Sequence, residues 1–207
     1  MFIRVTWAQS SPDRIEEQLA SYPQQMATGL GSLQGYMGAS LLIDRGTGAG
    51  VAVSYWESAE NMQASEEAGA TLRSQVTATN RAQIREIDRF ELVVEERIAP
   101  PRANTYVRVN DLQGSPAKVD DLANLVRGDA ISVLKAQSGF RAVLMGANRQ
   151  TGRMVVASVW ETATDREASM AALKELRQQA PQVAGAETMK SELYESAFAE
   201  VKQAALA

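Results

Sequence analysis

An α+β fold built twice over is what this sequence predicts, and three observations carry the prediction. "SYWESA" at 54–59 returns as "SVWETA" at 158–163, 104 residues later. The same offset relates Arg4-Val5 to Arg108-Val109, Ser11-Pro12 to Ser115-Pro116 and Gly35-Tyr36 to Gly139-Phe140, with no gap needed between Arg4 and Glu57. Within each copy, apolar runs of strand character are separated by apolar residues at helical spacing. One match could arise by chance, whereas a collinear series marks an internal duplication.

Each copy opens with an extended apolar segment, Phe2–Trp7 in the first and Tyr106–Val109 in the second. Ser-Pro follows, an N-cap residue with proline at the first helical position. Ile15, Leu19, Tyr22, Met26 and Leu30 then recur at helical spacing, as do Val119, Leu122, Val126 and Val133 more loosely. Pro23 lacks a backbone N–H and is expected to kink or break the first of these helices. Two extended runs come next, Tyr36–Ile43 and Val51–Trp56, joined by "DRGTGAG"; their counterparts are Phe140–Ala147 and Met154–Trp160, joined by "NRQTGR". Asp or Asn with Gly at the tip is hairpin chemistry. Ser58 and Thr162 open a second helix, and Thr162 with Asp165 three residues on resembles a capping box. The first copy closes on "RFELVVEERI", where Phe90, Leu92 and Val94 alternate as in a strand, and the second less clearly on "SELYESAFAEV". The order β-α-β-β-α-β is that of a ferredoxin-like unit. Two such units are expected at 1–98 and 104–207, joined by "APPRAN" (99–104).

Composition narrows the function classes. The chain has 207 residues, 45% hydrophobic and 22% charged, with a net charge of −4, so nothing pulls it globally towards nucleic acid or anionic membrane. No apolar run approaches the roughly 18 residues of a membrane span, and "MFIRVTWAQ" lacks the pattern of a secretory signal. A cytoplasmic location is the expectation. The chain contains no His and no Cys. That removes Ser-His-Asp and Cys-His catalysis, zinc sites of His/Cys type and His- or Cys-ligated haem. Carboxylates alone could still hold Mg²⁺ or Ca²⁺, but no cluster has the spacing of a known loop motif, so no metal site is expected.

The Trp-Glu-Ser-x-Glu turn at Trp56–Glu60, "VRVN" at 107–110 and "FELVV" at 90–94 resemble the antibiotic biosynthesis monooxygenase family. The resemblance spans nearly the whole of each copy. It implies a dimeric α+β barrel, in which two ferredoxin-like units pack sheet to sheet with their helices outside, here fused within one chain. The physical motive is that helices cover one face of each sheet, and the other face needs a partner. It also implies a cofactor-independent monooxygenase acting on a small aromatic or polyketide-type molecule. In such chemistry the substrate's own carbanion reduces oxygen, and the protein positions and deprotonates. Two other readings stand beside it: a non-catalytic barrel binding a small hydrophobic or aromatic ligand, and a structural or interaction module. Further association into a homo-oligomer stays open.

The candidate site residues follow from the repeat and the resemblance. Trp56 and Trp160 serve either as pocket walls for a flat ligand or, as we favour, as anchors packing the strand end against the second helix, with Glu57 and Glu161 capping that helix. Ser54 and Ser158 share a strand face with those tryptophans, because side chains alternate along a strand. Arg149, like Arg45 in the first copy, lies beside the hairpin, where it could clamp an acidic or phenolic substrate; a solvated turn arginine is the plainer reading. Asn110 stands where haem-degrading relatives carry a functional Asn, and is the catalytic candidate; Thr6 holds the matching place in the first copy. Those relatives also carry a Trp and a haem-binding His at positions that are here Ser65 and Ser74, and Ser169 and Gln178, so tight haem binding is not expected. Because Asn110 offers a donor and an acceptor and Thr6 only a hydroxyl, activity is expected in the second half. "GTGAG" (46–50) lacks the Lys-Ser/Thr of a P-loop and reads as a hairpin turn.

Overall fold

The computed structural model describes residues 1–202. The first half runs β1 (Phe2–Gln9), α1 (Ile15–Gly29), β2 (Tyr36–Ile43), β3 (Ala49–Trp56), α2 (Ala59–Ala64), α3 (Glu66–Asn80) and β4 (Gln83–Arg97). The second repeats it as β5 (Thr105–Gln113), α4 (Val119–Leu125), α5 (Ile131–Lys135), β6 (Phe140–Ala147), β7 (Arg153–Trp160), α6 (Ala163–Ala172), α7 (Lys174–Ala184) and β8 (Met189–Val201). The predicted α+β class holds, and the hydrogen-bonded strand order is β1-β3-β2-β8-β5-β7-β6-β4, closed as a barrel. No helix among the described residues is long and apolar enough to cross a membrane.

The chain divides into two compact units that are not the contiguous spans 1–98 and 104–207. Unit 1 comprises Met1–Arg89, Pro101–Ala103 and the segment from Glu195 onward; unit 2 comprises Phe90–Pro100 and Asn104–Tyr194. The reason is strand length. β4 and β8 are 15 and 13 residues long, and each carries its C-terminal half into the other unit. There Glu91–Arg97 pairs antiparallel with β6, and Glu195–Val201 pairs antiparallel with β2. Bulges at Val93 and Ala197 interrupt both ladders, so the strict alternation expected from Phe90 to Val94 fails after Leu92.

The hairpins form as expected from their turn chemistry. Asp44 Oδ1 accepts from the backbone N–H of Gly46 at 2.9 Å, and Asn148 Oδ1 from that of Gln150 at 3.0 Å. Gly48 and Gly152 close the turns at φ 76°, a left-handed backbone that favours glycine. Ser58 and Thr162 cap the second helices by accepting from Asn61 N and Asp165 N. Glu161 accepts from Arg141 at 2.6 Å, and Glu57 is exposed. Ser11 and Ser115 each precede one 3₁₀ turn before the α-helix proper, and neither side chain caps a backbone N–H; Ser11 Oγ donates instead to the Asp13 carboxylate.

Pro23 does not break α1, which runs from Ile15 to Gly29 with the ring on its exposed side. The irregular helix is the second, where a π turn at Val126–Ala130 separates α4 from α5. That wide turn carries Leu134 into the buried row and leaves Val133 half-buried. In unit 1, α1 and α3 cover one face of the sheet through Ile15, Tyr22, Met26 and Leu72, against Leu41, Ile43 and Trp56. In unit 2, Val119, Leu122, Val126 and Leu134 do the same against Val143, Met145 and Trp160.

Candidate functional site

In each unit a cavity lies between the helices and the sheet face they cover. The unit 1 cavity has about 120 Å³ and is lined from β1 by Arg4 and Thr6, from β3 by Ser54, and from α1 and α3 mostly by apolar side chains. The unit 2 cavity has about 70 Å³ and is lined by Arg108, Asn110, Ser158 and Arg177 among apolar groups. Thr6 and Ser54 therefore meet in one cavity, and Asn110 and Ser158 in the other. Neither tryptophan lines a cavity.

Trp56 and Trp160 are fully buried, and each donates its indole N–H to the serine two residues back, at 2.9 Å to Ser54 Oγ and 3.0 Å to Ser158 Oγ. Their rings meet Tyr36 and Phe140 edge-on at 5.5 and 5.6 Å. Apolar bulk and polar handle are both satisfied internally, which is how a packing anchor behaves. Arg149 stands outside the cavity on the hairpin, bound to Glu91 at 2.7 Å and Asp120 at 3.0 Å. Those two carboxylates push its guanidinium upward in pKa. Asn110 Oδ1 already accepts from Ser191 at 2.6 Å and from Arg177 at 3.3 Å.

The residues that sequence reasoning missed are charged or amide groups on the covered faces. Arg4 is only 2% exposed. It donates to Met62 O at 2.5 Å and Ser65 Oγ at 3.0 Å, pairs with Glu66 at 3.1 Å and lies 5.7 Å from the Trp56 ring centre. Arg108 repeats this, donating to Arg166 O at 2.7 Å and Ser169 Oγ at 3.2 Å. Ser65 and Ser169 thus serve as partners of buried arginines. Burial lowers the Arg4 pKa, opposed by Glu66 and assisted by Arg73 and Arg89. Glu66 in turn is pushed up by burial, but Arg89, Arg4 and Arg73 together hold its carboxyl below the usual range.

Three polar atoms of residues lining the unit 1 cavity are buried with no hydrogen-bond partner: Arg4 Nε, Gln18 Nε2 and Gln25 Oε1. Native interiors tolerate few such atoms, because each one left unmet costs about 1–3 kcal/mol. At the place of Gln18 unit 2 has Leu122, fully within its core. Of the two cavities, the larger is that of unit 1, and these unmet polar groups line it. A signal existed in the sequence. Arg4 and Arg108 stand at the same register of the two first strands, and Arg73 and Arg177 repeat at the same offset.

No protein-family profile matches the chain. It is 25% identical over 203 residues to an uncharacterised protein of Mycobacterium tuberculosis, covering 98% of this chain and 86% of that one. A second uncharacterised protein of that organism is 23% identical over 202 residues, covering 98% and 90%. Solved structures of similar fold include a candidate monooxygenase from Fusobacterium nucleatum, with a TM-score of 0.73 and 11% identity over 97% of this chain and 94% of that one. An anthrone oxidase-like protein has a TM-score of 0.67 and 15% identity over 98% and 96%. A ferredoxin-fold protein from Listeria monocytogenes, related to antibiotic biosynthesis monooxygenases, has a TM-score of 0.51 and 6% identity over 97% and 96%. At these identities the likeness is one of fold. The chain has a monooxygenase-like α+β fold, in line with its motif resemblance to the antibiotic biosynthesis monooxygenases.

Proposed function

We infer that unit 1 binds a small phenolic or enolic aromatic molecule and oxygenates it without a cofactor. The observation that carries this reading is an apolar cavity in which Arg4 Nε, Gln18 and Gln25 lack partners. Its size sets the ligand's size. A cavity of about 120 Å³ is close to the roughly 150 Å³ engineered cavity that takes benzene, so one ring fits and a fused tricycle does not.

The chemistry follows from the site's charge. Arg4 and Arg73 line the cavity, and no carboxylate does. A ligand oxygen beside these cations loses its proton more readily, because an opposite charge nearby favours the charged form. The resulting anion carries electron density onto the C–H ring carbon ortho to the one that bears the oxygen. That carbon gives electrons to O₂ and forms a C–O bond, and loss of water leaves a carbonyl. For hydroquinone the balance is hydroquinone plus O₂ giving hydroxybenzoquinone plus H₂O. Arg4 and the two glutamines hold the ligand oxygens, and the apolar wall excludes water. Thr6 and Ser54 flank the same space. A second reading, binding without turnover, is favoured by the same lack of a lining carboxylate, since no general base of that type is at hand.

The test is oxygen uptake with hydroquinone under isotopically labelled O₂, with hydroxybenzoquinone measured by mass spectrometry. Uptake above the protein-free rate, label in the product, and loss of both in Ala52→Leu, which fills the cavity, are expected. Uptake equal to the protein-free rate refutes oxygenation. If hydroquinone still binds saturably, the binding reading stands in its place.

A further inference from the structure

We propose that the unit 2 cavity is a separate binding site for a short aliphatic carboxylate, held by Arg108 and Arg177. The comparison of the two copies carries this. In unit 1 a single carboxylate, Glu66, ties Arg4 at 3.1 Å, Arg73 at 2.6 Å and Arg89 at 2.6 Å. Arg4 and Arg73 correspond to Arg108 and Arg177, but the place of Glu66 is taken by Met170, which is 37% exposed. The internal anion is gone while both cations remain.

What surrounds the two cations in unit 2 is neutral or distant. Arg177 donates to Asn110 Oδ1 and to Ser191 Oγ at 3.0 Å, both uncharged. The nearest carboxylate to Arg108 is Glu167, at 4.0 Å with its side chain 55% exposed. No Asp or Glu lines the cavity. Arg108 itself is only 2% exposed. Arg108 is buried with a carboxylate only at the limit of ion-pair distance, and an incoming carboxylate would accept charge-assisted hydrogen bonds from it and from the half-buried Arg177. Burial and the Arg177 charge together already hold the Arg108 guanidinium down to about 10.

The rest of the cavity defines the tail. Leu173 stands where unit 1 has Gly69, and with Leu122, Val126 and Met189 it gives an apolar wall. At about 70 Å³ the space is roughly half of one that accepts a benzene ring. A two-carbon acid such as acetate matches it, and an aromatic ring does not. This site is independent of oxygenation in unit 1.

The experiment is a titration of the whole chain, labelled at the methionine methyls, with acetate and with acetamide at low salt. Met189 lines this cavity and Met26 the other, so their signals separate the two sites. Acetate should shift Met189 saturably, and the neutral amide should bind at least about tenfold more weakly. Met170→Glu restores the internal carboxylate at an exposed position. It should leave the fold intact, raise the melting temperature and abolish acetate binding, and Arg177→Gln should weaken binding. Equal binding of acid and amide, unchanged affinity in Met170→Glu, a shift at Met26 alone, or no saturable shift overturns the proposal.

Discussion

Gln18 and Leu122 hold the same place in the two units, and the difference between them is the sharpest statement of what unit 1 is for. A glutamine whose amide nitrogen is buried without a partner lowers stability, and leucine at that place is what a packed core selects. Gln18→Leu is therefore expected to stabilise the chain by about 1–2 kcal/mol while abolishing ligand binding in unit 1. Urea denaturation beside a hydroquinone titration checks both; loss of stability would mean that Gln18 is satisfied in the fold. The Ser-x-Trp pairs make the opposite prediction. Ser54→Ala and Ser158→Ala each leave a buried indole N–H unmet, so each should cost about 1–3 kcal/mol with no new activity. The costs should add, because each bond lies within its own unit, and a double mutant no worse than either single would contradict this. The tryptophans and serines were legible as repeated residues sharing one strand face, and so was their packing role. Arg4 and Arg108 were not, because a lone arginine in a strand reads as solvent-facing until tertiary contacts place it.

The elements were legible wherever local chemistry decides them. The hairpins at Asp44–Gly50 and Asn148–Gly152, and the caps at Ser58 and Thr162, follow from turn and cap residues acting on their own backbone. What failed were features set by neighbours. Pro23 sits inside an unbroken α1, since helix packing on the sheet outweighs one lost backbone bond. The π turn at Val126–Ala130 adds no residue relative to the matching stretch of the first copy, so the register of the repeat does not announce it. Gly128 lies in that turn, is exposed, and would present an added Cβ to open space. Gly128→Ala should stabilise the chain by about 0.5–1 kcal/mol, measured by thermal or chemical unfolding, because alanine loses less backbone entropy on folding. A destabilising result would show that the wide turn needs glycine's freedom.

For the whole molecule, the duplication was plain in the sequence, but the exchange of strand ends was not, since an apolar pattern names no partner across long stretches of chain. β2 pairs with Glu195–Val201, and β6 with the matching Glu91–Arg97. A fragment of residues 1–98 thus lacks the strand that completes β2 and carries a strand end with no β6 to join. It should form a dimer in which each copy supplies the other's missing strand, seen by sedimentation as twice the fragment mass; a stable, folded monomer would contradict the exchange. A ligand site in unit 1 is tested most directly by the methionine-methyl spectrum of the full chain with hydroquinone added under anaerobic conditions, where binding is read without turnover. Met26 lines the unit 1 cavity and is 8% exposed. A saturable shift of Met26 with Met189 unmoved is expected; a Met26 signal that stays in place at every hydroquinone concentration would rule the site out.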